Sequence, residues 1–117
     1  MDTMRIAEAF SGHRFPETYD SLAPDVLWVL PGQASIDGRD AVIAACDSSA
    51  AEMAQLASAE FSRFVSVASD RTAAVDAVGR YTSADGSLSV VSSADIYEFD
   101  GDGSVTRITS YAVELDS

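Results

Sequence analysis

Apolar positions recur with a helical period in the first half of the chain and with a period of two in the second. Met4, Ile6, Ala7, Ala9 and Phe10 give a short amphipathic helix that ends near Gly12. Pro16 can open a second helix over PETYDSLA, because the N–H it lacks is one that a first turn leaves unbonded, and Pro24 closes it. Residues 26–30, VLWVL, have the length and composition of a strand. Asp37 is placed to cap the longest helix, from Asp40 to about residue 57, in which Val42, Cys46, Ala50, Met53 and Leu56 share one face. Residues 61–68, 72–83, 88–99 and 105–115 then alternate as strands, and Asp85-Gly86 is the strongest hairpin signal among them. Helices, one strand, a long helix and a meander predict a single α+β domain over residues 1–117, a cone-shaped curved antiparallel sheet wrapped around its N-terminal and central helices. A cone of that kind encloses space.

Composition narrows what could fill it. The 117 residues suit one core, and an apolar fraction of 47% excludes a disordered class. No apolar run approaches the ~18 residues that span a bilayer. MDTMRIAEAF has no long apolar stretch of the secretory kind, so a cytoplasmic location is expected. A net charge of -12 repels phosphate backbones and anionic membrane surfaces, and neither nucleic acid nor membrane is expected as a partner. One Cys and one His exclude an internal disulfide and a His/Cys zinc site. No phosphate-cradling glycine motif occurs, so no cofactor is expected. The run Asp100-Gly101-Asp102-Gly103-Ser104 imitates a calcium loop but has Tyr111 where the twelfth residue should be Glu, and it reads as a turn.

APDVLWVLPGQASIDGRDAV and ADIYEFDGDGSVTRITSYA together resemble the nuclear transport factor 2-like superfamily, in particular its SnoaL-like and ketosteroid-isomerase-like branches. The resembling features are Pro-Asp before the first strand, Gly-Arg-Asp opening the long helix, and the D-x-Y-x-F-x-x-x-G pattern from Asp95 to Gly103. The resemblance implies a cystatin-like α+β barrel with a conical pocket, lined by Trp28 and Leu30 and bordered by the PGQASIDG loop, and a homodimer. In a ketosteroid isomerase the general-base Asp would stand near Leu30, a Tyr on the first helix has no equivalent here, and a Tyr on the third would fall near Cys46. The protonated Asp of the oxyanion hole does have a match, at Asp95. Ordinary ketosteroid isomerisation is therefore not expected, and the superfamily holds cyclases, epoxide hydrolases, dehydratases and binding proteins besides.

A two-residue turn at Asp85-Gly86 pairs Ala84 with Ser87, and counting back sets Arg80 against Val91, Val78 against Ser93 and Asp76 against Asp95. Asp76 and Asp95 would then be a carboxylate pair facing inward. Two such groups in a partly dry cavity share a proton, which suits enolisation, aldol-type cyclisation or water activation, with Arg80 as electrostatic support. The alternatives are a structural cluster of Asp76, Arg80 and Asp95, or a three-residue turn that sends Asp76 to solvent. A second register sets Ile108 against Asp95 and Ser110 against Ser93, completing a pocket wall of Val78, Tyr97, Phe99, Ile108 and Ser110; Tyr97 and Phe99 could equally fill the core. Val75, Ala77, Gly79 and Tyr81 then form an outer face that a second subunit could cover. His13 reads as a capping or surface residue and Cys46 as a small core residue.

Three functions follow. One is a cofactor-independent isomerase, cyclase or hydrolase acting on a small, largely apolar carbonyl, polyketide-like or epoxide compound, with Asp95 and Asp76 as the acid/base pair. The second is a binding protein with the same cavity, and the third a dimeric assembly module.

Overall fold

The first helix, α1 (Thr3–Ser11), is capped at its start by Asp2, whose carboxylate accepts the Arg5 N–H at 2.8 Å. It buries Ile6, Ala7, Ala9 and Phe10. Its end is a Schellman turn: His13 N–H donates to the Phe10 carbonyl and Arg14 N–H to the Ala9 carbonyl. The left-handed position that glycine usually takes there is held by His13, at φ 65°. The structure, a computed structural model, describes residues 2–115.

A 3-10 turn, Phe15–Ser21, opens on Pro16 and leads directly into β1 (Leu22–Leu30). The strand starts four residues before its expected limit and contains Pro24, tolerated because the pairing is irregular between Leu22 and Leu27. A tight loop over residues 31–33 returns the chain as β2 (Ala34–Asp37), a short edge strand where a loop was expected. The next helix, α2 (Arg39–Met53), is four residues shorter at its end than expected, and Gly38 rather than Asp37 occupies its N-cap position. Gly38 stands at φ 97° and donates its N–H to the Val26 carbonyl, a conformation that suits glycine.

Four long strands follow: β3 (Ser58–Ala68), β4 (Thr72–Thr82), β5 (Leu88–Phe99) and β6 (Val105–Leu115). The sheet order is β2-β1-β6-β5-β4-β3, antiparallel except where β1 runs parallel to β6. The fold is thus α+β, with a curved, unclosed six-stranded sheet around the helices.

The β4–β5 turn corrects the expected register. Ser83 N–H bonds the Ser87 carbonyl around a three-residue loop, with Gly86 at φ 88° as its left-handed residue and the Asp85 carboxylate accepting the Ser87 N–H. Asp95 therefore pairs with Val75, and Asp76 with Ala94. A slip of one residue exchanges the faces of one strand relative to the other. The expected Asp76–Asp95 pair does not form, Val78 and Arg80 turn outward with Asp76, and Val75, Ala77, Gly79 and Tyr81 turn inward. The β5–β6 register is offset by two, which changes partners but keeps faces: Ser110 is opposite Asp95, and Ile108 opposite Tyr97.

Candidate functional site

The inner face of the sheet has two halves. At the narrow end Tyr97, Phe99 and Ile108 are buried with Ile6, Val26 and Val42 in the core, outside the cavity lining. At the wide end a cavity of about 390 Å³ stays open. Its walls are Phe10, Phe15, Trp28, Leu30, Met53 and Phe61, with Ser49 and Glu52 of α2 at the side. Both its size and its apolar, aromatic lining are those of small-molecule sites.

Besides Ser49 and Glu52, hydrogen-bonded polar groups enter it at two places. On the floor, Ser11 donates its hydroxyl to Asp95 Oδ2 at 2.7 Å and also shares a hydrogen bond with the Tyr97 hydroxyl. A serine has one hydroxyl proton, so with that proton on Asp95 the Tyr97 O–H donates to Ser11. The order is Tyr97 to Ser11 to Asp95. Burial pushes the Tyr97 phenol well above its ordinary range, and the nearby Asp95 charge adds to this, so Tyr97 keeps its proton as a permanent donor. Across the strand Ser110 accepts from Trp28 Nε1 at 2.9 Å, which leaves its own O–H free as a donor beside Asp95.

The second place is the mouth. His13 Nε2 lies 3.0 Å from the Tyr81 hydroxyl, and its ring stacks on Phe61 with centroids 5.5 Å apart. Burial lowers the His13 pKa from its ordinary value, partly opposed by the Asp95 charge. The Tyr81 phenol is raised, by burial first and by Asp95 second. Both groups are therefore neutral at pH 7. Tyr81 lies back along its own strand over Gly79, where a Cβ would come within 2.6 Å of Tyr81 Cζ.

Of the residues singled out in the sequence, Asp95, Trp28, Leu30 and Ser110 border the cavity. Asp76 and Arg80 are on the convex face, Asp76 accepting from Arg63 Nε at 2.9 Å. Val78 lies on that face too, and Tyr97 touches the site only through Ser11. Cys46 is a buried core thiol, pushed up to about 12 by burial. Ser11, His13 and Tyr81 were not anticipated as pocket residues. The signal for Tyr81 lay in SADGS, which fits a three-residue turn with Gly in the left-handed position; His13 had only its place just beyond a helix end.

The described residues include no helix long and apolar enough to cross a membrane. A comparison with curated proteins finds no match. Among solved structures, an NTF2-like protein of unknown function from Cytophaga hutchinsonii is 28% identical, with 93% of this chain and 94% of that one covered and a TM-score of 0.79. A candidate polyketide cyclase from Xanthomonas campestris pv. campestris is 23% identical over 91% of this chain and 83% of that one, with a TM-score of 0.66. An LEH-like epoxide hydrolase from M. tuberculosis is 14% identical over 94% and 81%, also at 0.66. At those two identities the likeness is one of fold. The model of the SnoaL-like domain matches residues 4–108, nearly the whole chain, and the protein belongs to that family.

Proposed function

We propose that the protein binds a small, flat, largely apolar carbonyl compound in the wide end of the cone and isomerises or cyclises it without a cofactor, Asp95 serving as general acid and base. The observation that carries this reading is a carboxylate at the floor of an aromatic cavity, held by a hydroxyl at 2.7 Å. A held carboxylate in such a setting can take a proton from a carbon acid and return it elsewhere on the same molecule. The epoxide-hydrolase alternative required Asp76 and Arg80 beside Asp95, and both stand on the opposite face of the sheet. A binding protein without turnover remains the second reading, supported by the same cavity.

The test is exchange of carbon-bound protons of flat conjugated ketones in deuterium oxide, followed by NMR. The wild type accelerates exchange, and Asp95→Asn loses the acceleration by roughly a hundredfold or more. Binding without exchange would favour the second reading, and exchange unaffected by Asp95→Asn would remove Asp95 from the chemistry.

We also propose a homodimer through the convex face. That face carries Val65, Ile96, Tyr111 and Leu115, and Val67 and Val113 are each 63% exposed, an extended apolar surface of the kind that marks an interaction site. Light scattering should give twice the monomer mass. A monomer that Val113→Lys does not change would end this proposal.

A further inference from the structure

Apart from Ser49 and Glu52 on the α2 side, the cavity has a polar mouth as well as a polar floor, and the proposed chemistry uses only the floor. His13 holds a left-handed conformation at the Schellman position, which is strained for a histidine and would not be for glycine. That conformation is kept at a cavity mouth, and it sets Nε2 against the Tyr81 hydroxyl. Tyr81 in turn needs a bare backbone beneath it. Gly79 leaves that space, and Phe61, paired with Gly79 on the neighbouring strand, covers the assembly by stacking on His13. Gly79 is four residues along β4 from Val75, the partner of Asp95, or about 13 Å of strand. The two polar places thus stand at different levels of the cavity, with Ala77 and Ser93 between them, and the Asp95 charge still reaches both His13 and Tyr81.

We infer that Tyr81, positioned by His13 and Gly79, is a second ligand-contacting group that donates to a carbonyl oxygen at the mouth, so that the ligand is a flat apolar compound with a carbonyl at one end and an acidic O–H or C–H at the other. This rests on the proposed function and names its substrate class. With His13 Nε2–H donating to the Tyr81 oxygen, the Tyr81 proton is free for the ligand. In a conjugated ligand the chemistry balances: the Asp95 carboxylate takes the proton, the electron pair of the broken bond moves through the conjugated system, and the charge arrives on the oxygen that Tyr81 holds. Reprotonation by Asp95 at another carbon completes an isomerisation with no other reactant. Neutral His13 and Tyr81, both kept uncharged by burial, supply a donor there without a competing counter-ion.

The experiment compares 6-hydroxy-1-tetralone with tetralin-6-ol, which differ in the carbonyl alone, by calorimetry and by the infrared C=O stretch. The ketone should bind the wild type about tenfold more tightly, the worth of one good hydrogen bond, with its C=O band moved to lower wavenumber. Tyr81→Phe and Gly79→Ala should each abolish the preference and the band shift. His13→Asn, which tolerates the left-handed backbone, should reduce both. Asp95→Asn should weaken both compounds alike and leave their ratio and the band shift in place, which a merely structural role for Tyr81 would not produce. Equal affinities with an unmoved band would overturn the inference and leave the binding cavity standing. A band shift lost in Asp95→Asn but kept in Tyr81→Phe would overturn it too, by putting the carbonyl on the floor. If neither compound binds, the proposed function fails and this inference falls with it.

Discussion

The narrow and wide ends of the cone share the same inward-facing strands, yet one is solid and the other hollow. At the narrow end Ile6 from α1 and Val42 and Cys46 from α2 meet Val105, Ile108 and Tyr97, and none of these is more than 1% exposed. At the wide end α1 has already stopped at Ser11, and the small inward residues Ser93, Ser110 and Ala112 border open space. Strand alternation decides whether a residue points inward. Where the helix ends decides whether inward means packed or open.

Truncation at the two ends should separate them most widely. Ile108→Ala removes a fully buried side chain and should cost about 2 to 5 kcal/mol in urea denaturation. Leu30→Ala borders space that already exists, so it should cost under about 1 kcal/mol and act instead on ligand affinity. Equal losses at the two sites would mean that the wide end is packed as well.

The floor of the cavity joins the two ends, and its hydrogen-bond order predicts an asymmetry. Ser11→Ala leaves the buried Tyr97 O–H without an acceptor and removes a donor from Asp95, and should cost about 1 to 3 kcal/mol. Tyr97→Phe leaves Ser11 still donating to Asp95 and should cost about 1 kcal/mol. If Tyr97→Phe proves the costlier of the two by thermal or urea unfolding, the proton runs from Ser11 to Tyr97 and Asp95 loses its donor.

How far these regions were legible in the sequence depended on parity. The limits of β5 and β6 coincide with their alternating runs, and an offset of two between them left every side chain on its expected face. One residue at the β4–β5 turn did the opposite, because Ser83-Ala84-Asp85-Gly86-Ser87 fits loops of either two or three residues with Gly86 left-handed in both, and what decides is that Asp85 does not take a positive φ and Ser83 N–H bonds the Ser87 carbonyl. That single step sent Asp76, Val78 and Arg80 outward and brought Tyr81 inward. The edge strand β2 escaped notice because Ile36 is the one large apolar residue in it. His13 could not be read as a pocket residue: Gly12, directly before it, is the residue one would expect to hold the left-handed turn, and it does not.

A smaller effect distinguishes the mouth from the floor by pH. His13 is the only histidine, so titration of stability near pH 6 reports chiefly on it. Burial lowers its pKa in the folded protein below that of the unfolded chain. The folded state then favours neutral His13: this contribution is fully present above pH 6.5 and is lost as the pH falls through 6.5 toward the lowered folded value. The urea midpoint should therefore drop between pH 7.5 and 5.5, and His13→Asn should flatten that slope. A midpoint that instead rises on acidification would show His13 charged in the folded protein, drawn to Asp95 more strongly than it is disfavoured by burial.

The smallest effect tests the register itself. Asp76 and Arg63 form an exposed pair on the convex face, each side chain more than half accessible. Exposed pairs of this kind contribute about 0 to 1 kcal/mol, because water screens the charges and two long side chains must be held still. Asp76→Ala should thus change the urea midpoint hardly at all and leave ligand affinity and proton exchange at wild-type levels, in contrast to Asp95→Asn. A substitution so mild in stability is informative because a two-residue turn would place the same carboxylate opposite Asp95, inside the cavity. Loss of ligand binding in Asp76→Ala, with the midpoint unmoved, would put Asp76 back beside Asp95 and turn Tyr81 out of the mouth.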